Sequence, residues 1–356
     1  MRKSAIVLAN GCYRSSNGKP AHGLVRGSER FAIQCVVDPD SAGGDAGTLL
    51  DGLQRNIPIV NNLDEALACA RAPPQVCIVG VATHGGRLTE ELRALLLDAA
   101  RRGLSLVNGL HDLLSEDAEI SAAARASDTE IVDVRKPVPR SQLRFWEGEV
   151  TQITASRIAV LGTDCAVGKR TTARMLVNAL NTDGISSEMI YTGQTGWMQG
   201  ARFGFVLDST ANDYVSGELE QALLRCARES DPQVMVIEGQ SALRNPSGPC
   251  GAELLLSGQL AGVILQHAPD RTYFEGHEDL GLRIPSLRSE IELIAMYGVA
   301  TVAVALNGGA MDREALARRQ AEYADELQIP VVCPLLDGMN ELVDAVRPLL
   351  PRPEHR

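Results

Sequence analysis

A short apolar run ending at Leu161 leads into GTDCAVGKRTT at residues 162–172, and helix-forming residues follow. A strand, a glycine-bounded loop closing on Gly168-Lys169 and then a helix form the layout of a phosphate-binding P-loop. In such a loop successive backbone N–H groups form an anion nest, the helix dipole points at the ligand, and Lys169 adds a mobile cation. A phosphorylated ligand is therefore expected on Thr163, Asp164, Cys165, Ala166, Val167, Gly168, Lys169, Arg170, Thr171 and Thr172. One position departs from the pattern. The residue after the lysine ordinarily supplies a hydroxyl to Mg²⁺, and here it is Arg170. Thr171 does not simply stand in, because one helical step turns a side chain by about 100°. A guanidinium suits phosphate oxygens without a metal. The loop reads as a phosphate cradle for which nucleotide hydrolysis is optional, and no metal ligand is assigned.

The rest of the chain repeats the alternation of strand and helix. Before Lys136, apolar runs at 5–9, 32–37, 57–60, 76–81, 104–107 and 130–134 are separated by helical segments, including one from Thr89 to Gly103. This predicts a parallel, doubly wound sheet. Its first turn, Leu8-Ala-Asn-Gly-Cys12, lacks the glycine fingerprint of dinucleotide binding, although Asp38 stands where a ribose-binding acid would. A Rossmann-like scaffold serving the active site or oligomerisation is expected, not a nicotinamide site. Lys136-Pro-Val-Pro-Arg140 suits a linker, giving domains at 1–140 and 141–356. Residues 141–156 are expected to pair on a sheet edge. Further strands at 157–161, 188–192, 234–237, 262–265, 301–305 and 331–332 make the second domain a P-loop NTPase-like parallel sheet. The fold class is α/β throughout.

Over 356 residues the net charge is −11, and no sustained basic stripe appears, so no nucleic-acid partner is expected. No stretch approaches a membrane span, and the apolar run near the N-terminus stops too soon for a signal peptide. None of the eight cysteines forms a C-x-x-C pair. A cytoplasmic protein acting on small molecules, homo-oligomeric, with a frayed tail after Leu350, is the expectation.

In an open parallel sheet ligands sit at the carboxyl ends of the strands, and those ends are rich here. Thr192-Gly-Gln-Thr-Gly196, Glu238-Gly-Gln-Ser241, Gln266 to Arg271 and Asn307-Gly-Gly309 all follow strands beside the P-loop. Glu238 occupies the place where a second acidic strand end would hold metal or water in a P-loop enzyme.

The string GTDxxVGK with the acidic strand end at Glu238-Gly239 resembles dethiobiotin synthetase, without the threonine directly after the lysine. A longer likeness runs through Gly23-Leu-Val-Arg26, Ser28-Glu-Arg30, Gly85-Gly-Arg-Leu88, Gly109-Leu-His-Asp-Leu113 and Asp133-Val-Arg-Lys-Pro137. It continues through the P-loop, the 192–196 segment, Asp213-Tyr-Val-Ser-Gly217, the 238–241 segment, His267 to Arg271 and Ala305-Leu-Asn307. Over nearly its whole length the chain resembles the DgcN-type D-glutamate N-acetyltransferases. The chain departs from their pattern at Asn245-Pro246, where His-Pro is usual, and at Glu253, where threonine is more common.

The resemblance implies transfer of the acetyl group of acetyl-CoA to the amine of an acidic amino acid by direct attack on the thioester, with no metal required. Coenzyme A carries a pyrophosphate and a 3′-phosphate but no γ-phosphoryl group, which suits a cradle lacking its metal hydroxyl. Such a reaction needs a base and a carbonyl-oxygen donor. The base candidates are Glu238, Asp213 and His267, of which Asp213 also suits a helix cap and His267 a scaffold. Gln194, Thr195, Gln240 and Ser241 are the neutral substrate-binding candidates. Arg244, Arg271 and Arg202 are the candidates for capturing acceptor carboxylates. Cys165 is read as a small loop residue more readily than as an acyl carrier. ATP-dependent ligation or phosphorylation, and non-catalytic nucleotide sensing, are the competing expectations.

Overall fold

The computed structural model describes residues 2–351. The tail expected to fray lies beyond them, apart from its first proline. The chain folds as two units: one runs up to Val138 and takes in Gln194–Ala201, and the other comprises Pro139–Gly193 and Arg202 onward.

In the first unit six parallel strands, β1 (Lys3–Leu8), β2 (Phe31–Val37), β3 (Ile59–Val60), β4 (Val76–Val79), β5 (Ser105–Asn108) and β6 (Ile131–Asp133), lie in the order β3-β2-β1-β4-β5-β6. That is the Rossmann order, with its switch point between β1 and β4. The helices begin where polar caps are available. Asn62 accepts from the Glu65 N–H and Thr89 from the Leu92 N–H, satisfying first-turn donors. Asp38, fully buried, accepts from the Tyr13 N–H at 2.7 Å and the Asp40 N–H at 3.2 Å. Its carboxylate is thus engaged in holding the first turn. The helix Gln194–Gln199 belongs to this unit. Ser28 Oγ donates to the Met198 carbonyl, Gln199 Nε2 to the Gly23 carbonyl, and the Arg30 guanidinium lies 4.1 Å from the Trp197 ring centre.

The second unit has seven parallel strands, β7 (Ser156–Gly162), β8 (Ser187–Tyr191), β9 (Phe203–Gly204), β10 (Val234–Glu238), β11 (Gly262–His267), β12 (Thr301–Leu306) and β13 (Val331–Val332). They run in the order β13-β12-β11-β7-β10-β8-β9. The P-loop strand β7 is central, flanked by β10 and β11, so its loop, the 238–241 segment and the 266–271 segment emerge side by side. The two-residue β9 had no signal in the sequence.

One expectation is corrected. Residues 141–156 do not pair on a sheet edge before β7 begins. They form two single turns, Arg140–Gln142 and Glu149–Gln152, and lie along the helix Val215–Ser230. The fully buried Glu220 accepts from the Glu147 N–H at 2.7 Å and the Val150 N–H at 3.1 Å, while Glu218 accepts from the Arg144 N–H at 3.1 Å. Carboxylates thereby satisfy the amides that a ladder would otherwise serve. Close approach is possible because residue 217 is glycine: a Cβ there would stand 1.9 Å from the Arg144 carbonyl oxygen. Among the described residues no helix is long and apolar enough to cross a membrane.

Candidate functional site

The loop after β7 turns through two left-handed positions, Ala166 (φ 53°) and Gly168 (φ 113°). Such turns aim successive amides into one concavity. The helix Lys169–Thr182 starts at Gly168 with no side-chain cap, which leaves its first N–H groups to an anion. Lys169 is buried, and its Nζ donates to the Asp164 carbonyl at 2.6 Å and the Ser241 carbonyl at 2.7 Å. It therefore ties the P-loop to the loop after β10.

Beneath this cradle lies a buried brace. Asp164, fully buried, accepts from Asn245 Nδ2 at 3.0 Å, Arg271 Nη1 at 2.8 Å and the Glu275 N–H at 2.8 Å. Arg271 Nη1 also donates to the Cys165 carbonyl at 2.6 Å. Thr163 Oγ1 sits 2.9 Å from His267 Nδ1, and the far nitrogen, Nε2, is 3.4 Å from the Tyr323 hydroxyl. Burial, helped by Arg271 and Arg319, pushes the His267 pKa down to about 4. The ring is neutral at pH 7 with both nitrogens engaged, an arrangement that holds Thr163 in place. Thr172 donates to Gln266 Oε1 at 2.5 Å, and Val167 is packed in the core. The Cys165 thiol donates to Ser241 Oγ at 3.5 Å.

Glu238 ends β10 almost fully buried. Its Oε2 accepts from the Thr192 N–H at 3.2 Å, and its own carbonyl accepts from Thr192 Oγ1 at 2.7 Å. Gln240 Nε2 donates to that same hydroxyl at 3.1 Å. Burial pushes the Glu238 carboxyl up, and the strongest charge acting against that rise is Arg170, ahead of Lys169. Arg170 is half-buried. Thr171, the next residue, is also half-buried.

The structure thus gathers Thr163, Asp164, Cys165, Lys169, Arg170, Glu238, Gln240, Ser241, His267 and Arg271. Arg202 and Asp213 are not part of this cluster. Arg202 is exposed, paired with Glu188 and Glu229, and lies 4.8 Å from the Phe203 ring centre. Asp213 is exposed in the turn Asn212–Tyr214, and the capping role expected of it is absent: Tyr214 holds the cap position of the following helix, without a side-chain bond. Gln194 and Thr195 stand on the helix of the first unit.

Arg244 follows Ser241 in the same loop. Its Nε donates to Glu290 Oε2 at 2.8 Å and its Nη1 to Ser289 Oγ at 2.8 Å. Burial pushes the Glu290 carboxyl up, against the pull of Arg244. Asn245 stands out in the sequence only as a departure from the family pattern near the substrate pocket, and Glu290 is missing from the sequence candidates. Glu290 had a readable signal, because Leu287, Glu290 and Ile294 form the buried stripe of one helix, and an acid on such a stripe demands a partner. Among the described residues no three His, Cys, Asp or Glu side chains gather as a metal site.

Residues 144–343 match the family model described as a domain of unknown function, DUF1611_C, P-loop domain, and residues 39–137 match DUF1611_N, Rossmann-like domain. A protein of Tritonibacter scottomollicae named D-glutamate N-acetyltransferase is 30% identical over 317 residues, covering 86% of this chain and 90% of that one. One of the same name from a Pseudoalteromonas species is 27% identical over 294 residues, covering 80% and 86%. The crystal structure of a DUF1611 family protein from Anabaena variabilis superposes with a TM-score of 0.88 at 30% identity, covering 98% of this chain and 100% of that one.

Proposed function

The chain belongs to the DUF1611 family, a Rossmann-like domain joined to a P-loop domain, and from that premise we propose that it is an N-acetyltransferase. In this reading acetyl-CoA is the donor and an acidic amino acid, D-glutamate as in the names of its relatives, is the acceptor. The observation that carries the donor assignment is the P-loop itself. It offers an amide nest, an uncapped helix start and Lys169, while the position of the metal hydroxyl holds Arg170, whose charge acts on the same cluster. A coenzyme pyrophosphate needs cations and N–H donors, and two basic side chains supply the charge without a metal.

The amine attacks the thioester carbonyl directly, and the coenzyme thiolate leaves. One proton of the ammonium must be removed before attack, and a second after it. Glu238 is the group proposed to accept a proton, because burial raises its proton affinity and it ends the strand beside the P-loop strand. Gln240 is proposed to orient the substrate, while His267 and Arg271 hold the loop. Thermal shift provides the test. Acetyl-CoA should stabilise the protein equally with and without EDTA, and stabilisation by Mg-ATP alone would replace this reading with ATP-dependent ligation or phosphorylation.

A further inference from the structure

The loop after β10 carries a charged pair that the phosphate cradle does not use. Arg244 lies on the segment whose Ser241 carbonyl receives Lys169 and whose Asn245 holds Asp164. Its partner Glu290 is in the first turn of the helix Leu287–Met296, which leads from the 268–286 loop toward β12. Helices between parallel strands run back across the sheet, so the first turn of each lies at the carboxyl edge, the ligand side.

The pair is unevenly satisfied. A guanidinium has five N–H donors, and hydrogen bonds from Nε to Glu290 and from Nη1 to Ser289 use two of them. Nη2 lies 2.6 Å from the same Glu290 oxygen but out of line for a hydrogen bond. Among the described residues it is buried without a hydrogen-bond partner, and so is the other carboxylate oxygen, Glu290 Oε1. Buried charged atoms normally find partners, and here Nη2 has its ion-pair contact alone while the acceptor Glu290 Oε1 has no hydrogen-bond partner among the described residues. The Glu290 side chain is 3% exposed and that of Arg244 32%, so the pair opens on the arginine side.

We propose that Arg244 and Glu290 form the recognition site for an α-amino acid zwitterion: Arg244 takes the carboxylate, and Glu290 Oε1 takes the ammonium. The match is one of charge and valence. A free amino acid presents an anion and a cation two bonds apart, and an ion pair whose arginine keeps N–H donors in reserve and whose glutamate has an unmet acceptor presents the complement. Of the other two arginines considered for the acceptor, Arg271 is engaged by Asp164 and the Cys165 carbonyl, and Arg202 is engaged by two glutamates away from this loop. The inference rests on the acetyltransferase reading for its choice of acceptor. It assigns a binding role and leaves proton transfer with Glu238.

The test compares D-glutamate with glutarate, which keeps both carboxylates and lacks the amine. Arg244→Ala should weaken both ligands, by roughly 10- to 150-fold if one charge-assisted hydrogen bond is lost. Glu290→Gln should weaken D-glutamate without weakening glutarate, since Arg244 loses a competing anion, and the KM for acetyl-CoA should not move in either variant. Should the alanine variant fail to fold with Glu290 left unpaired, Arg244→Lys decides, since a point charge cannot reproduce the planar fork. A folded Arg244 variant with the wild-type affinity for D-glutamate would overturn the proposal. So would a Glu290→Gln variant that loses D-glutamate, glutarate and acetyl-CoA alike, which marks a structural role. Calorimetric titration of both ligands keeps the test independent of turnover. If the wild-type protein binds D-glutamate through the pair yet releases no coenzyme thiol, the acetyltransferase reading fails and the amino-acid site stands.

Discussion

Replacing Arg271 by alanine should destabilise the second unit while leaving the first untouched. Arg271 supplies the only charged donor among the three hydrogen bonds to the fully buried Asp164. Removing one partner of a buried ion pair costs about 3–5 kcal/mol, because the surviving charge stays buried. The Asn245 and Glu275 donors remain and Arg271 is itself a quarter exposed, so the lower end, about 3 kcal/mol, is expected. Two units make a single unfolding midpoint ambiguous, but the two tryptophans separate them: Trp146 lies in the second unit and Trp197 in the first. In a Trp197→Phe background, Trp146 fluorescence reports the P-loop unit alone. With a urea dependence near the upper end of the usual range, ~3 kcal/mol per molar, the midpoint should fall by about 1 M. Asp164→Asn added to Arg271→Ala should recover much of the loss, since no bare charge is then buried. A shift below about 0.5 kcal/mol, typical of a surface residue, would refute the reasoning, as would a double variant less stable than Arg271→Ala.

Lys169→Ala should sharply raise the KM for acetyl-CoA, and an unchanged value would remove the P-loop from the donor site. Arg170→Ala, titrated with acetyl-CoA in EDTA, should lose about 1.5–3 kcal/mol of binding, whereas wild-type affinity would mean that Arg170 does not contact phosphate. His267 gives a pH signature: its pKa falls from 6.5 to about 4 on folding, so the unfolded chain binds the proton more readily. Its contribution to stability is complete above pH 6.5 and is lost as the pH falls toward 4, by about 3 kcal/mol in all. Urea midpoints from pH 4.5 to 7 should slope less in His267→Asn than in wild type, and equal slopes would contradict a buried neutral ring. Gly217→Ala should destabilise the second unit by about 1–3 kcal/mol through the clash with the Arg144 carbonyl, read by the same Trp146 signal.

Sequence by itself determined the two parallel sheets, all their strands but β9 to within two residues, and the P-loop. These are local properties: an apolar run of strand length is buried on both faces wherever it lies, and a glycine loop between strand and helix makes its nest from its own backbone. The replacement of the metal hydroxyl by Arg170 was equally visible, because it is a matter of identity at one position. What tertiary structure alone decided is how the side chains are used. His267, Arg271 and Asp38 look like reactive or ligand-binding groups in the sequence; the fold sets their neighbours, the Thr163 hydroxyl for His267, the Cys165 carbonyl for Arg271 and the Tyr13 N–H for Asp38. The segment 141–156 looks like an edge strand and is instead fastened by Glu220, a residue more than 60 positions later. Glu290 meets Arg244 across 46 positions. A carboxylate or guanidinium is defined by what lies within about 3 Å of it, and strand order, not chain order, sets those neighbours.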